Sequence, residues 1–132
     1  MGVLWTVRPL IDEIKSYLDE TGIDYPNNPS RLPTGREIND VVVALLAFDV
    51  KINNNGVGSS WQAHIVSRRN QDEYALLNIE EYTGDDQEQE LWFEKGSEKV
   101  IRLILQKLSN KAGPLVLIPD TGDEPTVIST AT

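Results

Sequence analysis

The chain has no cysteine, a single histidine and a single methionine. Without cysteine there are no disulfides, no thiolate metal sites and no cysteine nucleophile. With only His64, a metal site would have to lean on carboxylates such as Glu80, Glu90, Asp85 and Asp86. No EF-hand spacing and no H-E-x-x-H stands behind them, so no metal and no cofactor is expected. His64 itself reads as a surface residue of a strand. Long apolar runs are missing too. The longest, Val41 to Phe48, is core-sized and far short of the ~18 residues of a membrane span. The opening Met1-Gly2-Val3-Leu4-Trp5 has neither a basic n-region nor a secretory h-region. These absences point to a cytoplasmic chain without a membrane partner.

Basic residues are lacking where acidic ones concentrate. From Asn70 to Glu94 there is no Lys or Arg, but there are nine acidic residues: Asp72, Glu73, Glu80, Glu81, Asp85, Asp86, Glu88, Glu90 and Glu94. The other twelve acidic residues balance the twelve Lys and Arg, so the whole net charge of -9 belongs to this stretch. Nucleic-acid binding needs clustered cations and is not expected. A basic protein is the partner such a charge would steer.

At 132 residues, 39% of them hydrophobic, the chain is expected to form a single α+β domain over 1–132 with a frayed tail at about 130–132. Pro9 to Glu20 has a helical stripe of Leu10, Ile11, Ile14, Tyr17 and Leu18, with Gly22 as its stop. The connection from 22 to 35 is long and carries Pro26, Pro29 and Pro33. Thr34 and Glu37 have capping-box spacing, which starts a second helix from about Arg36 to Ala47; the valine run there also suits a buried strand. A third helix runs from Ser97 to about Asn110. Strands are expected at Phe48–Ile52, Trp61–Ser67, Glu73–Tyr82, Glu88–Lys95, Leu115–Ile118 and Thr126–Ser129. The sum is a two-layer α+β fold in which an antiparallel meander of four to six strands packs against two to three helices.

Alternation sets the register of that meander. Opposing Ile79 to Leu91, Leu77 to Phe93, Ile65 to Ala75, Ala63 to Leu77 and Trp61 to Ile79 brings apolar residues onto one face. The other face then carries Tyr74, Glu80, Tyr82, Glu88, Glu90, Trp92 and Glu94, with Glu80 directly across from Glu90, and Asp85 and Asp86 in the adjoining turn. Those nine residues are the candidate partner-binding set. Aromatic side chains anchor interfaces while carboxylates steer cations. Inhibitors and immunity proteins directed at nuclease toxins use surfaces of this physical kind.

Few catalytic motifs are present. Asp120-Thr121-Gly122, after Leu117-Ile118 and before Thr126-Val127-Ile128, resembles the catalytic triplet of retropepsin-type aspartic proteases. The resemblance stops there: Pro119 stands where an apolar residue belongs, helices precede the triplet, and too little chain follows it for the flap. Asp-Thr-Gly-Asp is also ordinary turn chemistry. The Gly56-Val57-Gly58 loop lacks the third glycine of a dinucleotide fingerprint and the lysine of a P-loop. No catalytic residue is therefore assigned. The expected function is a non-enzymatic protein-binding domain. Two alternatives stand beside it: a self-associating structural subunit, and a small-molecule binder or enzyme with a pocket near the 22–35 loop using Glu37 or Asp40.

Overall fold

The computed structural model describes residues 3–129; the expected frayed tail lies outside them. Seven strands form one antiparallel sheet: β1 (Leu4–Pro9), β2 (Phe48–Asn54), β3 (Trp61–Ser67), β4 (Tyr74–Ile79), β5 (Leu91–Gly96), β6 (Leu115–Pro119) and β7 (Thr126–Ile128). Three helices accompany them: α1 (Asp12–Thr21), α2 (Gly35–Val43) and α3 (Glu98–Ala112). The strand order is β2-β3-β4-β5-β1-β6-β7. The sheet is open, and the arrangement is the expected α+β class.

For the five apolar pairs the expected register is the observed one. Trp61 opposes Ile79, Ala63 opposes Leu77, and Ile65 opposes Ala75. Leu77 opposes Phe93 and Ile79 opposes Leu91. All eight of these apolar residues are buried, packed with Ile38, Val41 and Val42 of α2 and with Val100, Ile101, Ile104, Leu105 and Leu108 of α3. Alternation decides this because a slip of one residue would turn every one of those side chains to the opposite face.

One strand was hidden. The residues before Pro9 carry no expected element, yet β1 is an interior strand of the sheet, between β5 and β6. Trp5 and Val7 turn toward the main core, the period of two that a strand requires. Pro9 closes β1 opposite Leu115 and is not the first residue of a helix; α1 begins at Asp12. Gly22 does stop α1, with φ at 74° in the left-handed region. Only Leu10, Ile14 and Leu18 of the expected stripe are buried, against Val116 on the face of β6 opposite the main core. Ile11 and Tyr17 are exposed. Thus α1 covers only the β6 end of the second sheet face, and the rest of that face is open.

The capping box at Thr34 and Glu37 is formed, and the expected strand alternative for the valine run does not occur. The helix is shorter than expected. It ends at Val43, where Ala44 and Leu45 bond back to the carbonyls of Val41 and Val42 in a tightened last turn. Leu46, inside the expected helix but past the observed end, is 83% exposed.

Candidate functional site

The β4–β5 ladder ends at Ile79–Leu91, so Glu80 and Glu90 are not the cross-strand pair expected of them. Beyond Ile79 the chain bends away from β5. Tyr82 N–H donates to the Ser59 carbonyl, and Gly58 N–H donates to the Tyr82 carbonyl. Alternation fails at that bend. Tyr82, expected on the solvent face, is only 4% exposed and belongs to the main core. Its hydroxyl donates to the carboxylate of Asp85. Burial first, then that hydrogen bond, pushes its phenol up to about 12.

Asp85 and Asp86 turn toward the start of α2 and away from the sheet face. Arg36 N–H donates to the Asp85 carbonyl, and the Arg36 guanidinium lies 3.0 Å from the Asp86 carboxylate. Glu73 is met by Lys99 at 3.4 Å. Cations distant in sequence therefore trim the acidic stretch at Glu73 and at Asp86.

What is left gathers where β4 and β5 part. A hollow of about 510 Å³ is lined by Glu80, Glu81, Glu88 and Glu90 with Gly58 and Thr83. Among the described residues none of these four carboxylates forms an ion pair; Glu88 accepts one hydrogen bond, from Leu32 N–H at 2.9 Å. Glu80 also borders a second hollow of about 270 Å³, lined by Trp92, Gln62, Asn78, Asn53, Asn55 and Ser60 among others. The amides are held within the rim: Gln62 donates to Asn78 at 2.7 Å, and Asn55 donates to Ser60 Oγ at 3.0 Å. Trp92 is half-buried directly opposite Asn78. Glu80 is thus the joint between a carboxylate hollow and an indole bordered by amides.

Tyr74 and Glu94, also expected at the site, are half-buried members of the open sheet face. Tyr74 meets the exposed His64 edge-on, with ring centroids 6.4 Å apart. Of the nine expected residues, the structure brings together Glu80, Glu88, Glu90 and Trp92, leaves Tyr74 and Glu94 farther along the sheet, and removes Tyr82, Asp85 and Asp86 to the α2 side. The amide rim was missed. Its signal was present in the register, which already places Gln62 beside Asn78.

Around the 22–35 loop the side chains are spent on structure. Arg31 grips Glu37 through two hydrogen bonds, of 2.6 and 2.8 Å, and its backbone N–H bonds to the Ala112 carbonyl. The Arg31 guanidinium and the Thr34 cap hold the Glu37 carboxyl at about 2, opposite to the raised value a general acid needs. The hollow beside this loop is lined by Pro26, Asn28, Pro29, Ser109, Asn110, Gly113, Pro114 and Ser129, none of them titratable. The Asp120 triplet is a turn between β6 and β7, in which Asp120 accepts from Leu4 N–H and Thr121 donates to Asp123. Among the described residues no group of three or more His, Asp or Glu is placed to hold a metal ion, and no helix is long and apolar enough to cross a membrane.

No family model matches the chain, and no curated protein or solved structure matches it either.

Proposed function

We propose that this chain is a binding protein without catalytic chemistry of its own, and that it receives Lys or Arg side chains of a basic protein at the paired hollows around Glu80. The observation that carries this reading is the position of Glu80 between the four-glutamate hollow and the Trp92 hollow. A guanidinium placed there has an aromatic face to stack on and a carboxylate to accept its N–H groups. Arg favours that combination because its planar cation stacks and its fork matches a carboxylate. The remaining glutamates draw the partner in and speed encounter, an effect that salt suppresses.

The test compares three proteins for capture of a basic partner from the lysate of the native cell: wild type, a Glu80→Gln/Glu88→Gln/Glu90→Gln variant and Trp92→Ala. The expected result is a basic protein retained by wild type, weakened in the triple variant with a reduced salt dependence, and lost in Trp92→Ala at unchanged net charge. Equal retention by wild type and Trp92→Ala would reduce the site to diffuse charge. Equal retention by all three would refute it.

A further inference from the structure

The two edges of the sheet are finished differently. β7 has three residues and follows Pro125, a short, proline-flanked edge of the kind that resists further pairing. β2 has seven residues and no proline, and it pairs with β3 from Phe48–Ser67 to Asn54–Trp61 without a register shift. Its outer side is a regular row of backbone donors and acceptors.

The side chains of β2 divide cleanly. Phe48, Val50 and Ile52 face the helices, are half-buried and border a hollow of about 350 Å³ with Val43, Leu45, Leu46 and Arg68. The early end of α2 leaves Leu46 and Val43 exposed beside it. On the other face, Asp49 and Lys51 flank Val50 and are both exposed.

This pattern is complementary to itself. Two antiparallel copies of β2 related by a two-fold axis through Val50 oppose Phe48 to Ile52, Val50 to Val50 and Asp49 to Lys51. The apolar residues of both copies share one face, and two Asp–Lys pairs form on the other. Moving the axis to Lys51 opposes two lysines, and moving it to Asp49 opposes two aspartates. A shift by half a residue puts apolar side chains against charged ones. Arg68 Nε holds one oxygen of Asp49 at 3.1 Å, which leaves the other oxygen for Lys51 of the second copy. We infer that the β2 edge is a self-association surface whose occupant is a second copy of this chain, joined two-fold through Val50 into one continuous sheet. An isologous contact demands this self-complementarity. The inference does not depend on the basic-partner reading.

Sedimentation analysis of the full chain from micromolar to millimolar concentration tests it. Wild type is expected to dimerise. Lys51→Glu and Asp49→Lys each place two like-charge pairs across the axis, raising the dissociation constant on the order of tenfold or more. Asp49→Lys/Lys51→Glu restores opposite charges and is expected to restore the dimer, with circular dichroism confirming the fold of each variant. Opposed residues of an antiparallel pair have Cα atoms ~4.5–5.5 Å apart, within disulfide reach. In a chain without other cysteines, Val50→Cys is therefore expected to cross-link on oxidation far faster than Ser16→Cys on the exposed side of α1. A wild type monomeric throughout the range, a dimer indifferent to Lys51→Glu, a double variant that stays monomeric, or Val50→Cys cross-linking no faster than Ser16→Cys would each overturn the inference.

Discussion

The phenol of Tyr82 lies against the backbone of Gly35, so closely that a methyl group on Gly35 would run into its hydroxyl. That contact ties the segment leaving β4 to the first turn of α2. Gly35 is buried, and its glycine is required by space and not by an unusual backbone angle. Gly35→Ala is therefore expected to destabilise the protein by ~1–3 kcal/mol, the usual cost of overpacking. Urea denaturation measures it, and an unchanged midpoint would show that Tyr82 moves aside at no cost.

The same tyrosine sets an alkaline limit. Its phenol, ordinarily at 10.0, is pushed up to about 12 in the folded state. The unfolded chain then releases this proton first, so stability falls as pH rises above about 10. Tyr82→Phe cannot ionise. Stability measured between pH 9 and the alkaline end of the range is expected to fall more steeply for wild type than for the variant; parallel curves would contradict the raised value.

At the acid end the governing group is Glu37. Its carboxyl stands at about 2 against 4.5 unfolded, chiefly through Arg31. Its contribution is fully present above about 4.5 and is lost as pH falls toward about 2. Glu37→Gln keeps the size but not the charge. It is expected to lower stability at neutral pH and to flatten the acid limb, so that the two proteins converge as pH drops. A constant offset across that window would assign the effect to the capping geometry alone.

Ile79 is the last core residue of β4 before the chain bends away, and it is essentially buried. Ile79→Asp would place an unpaired charge among Trp61, Leu91 and their neighbours, at a cost large enough to unfold a marginal domain. Loss of the cooperative thermal transition is the expected result.

Glu90→Lys reads the carboxylate hollow directly. With no ladder pair between Glu80 and Glu90, the gain comes from relieving repulsion among four carboxylates and not from one cross-strand bridge. The melting temperature is expected to rise slightly at low ionic strength, and the gain to vanish as salt screens the site. A gain that persists at high salt would point to a fixed contact instead.

The core of the meander is legible in the sequence because it is a local property. Trp61, Ala63 and Ile65 alternate with polar residues, and only one register buries them against Ala75, Leu77, Ile79, Leu91 and Phe93. The Thr34–Glu37 cap and the Gly22 stop are also decided within a few residues. What alternation could not decide is where a strand leaves its ladder. One bend after Ile79 put Tyr82 in the core and separated Asp85 and Asp86 from the glutamates. Nor could it show that β1, with a proline at its end, is recruited to the interior of the sheet, because its neighbours β5 and β6 lie some ninety to a hundred and ten residues away in sequence. The candidate site has the same origin. Composition determined that one stretch carries the negative charge; tertiary contacts with Arg36 and Lys99 decided which carboxylates remain to act. Periodicity reports which face a side chain prefers, while the partner across the space is set by chain segments that periodicity never compares.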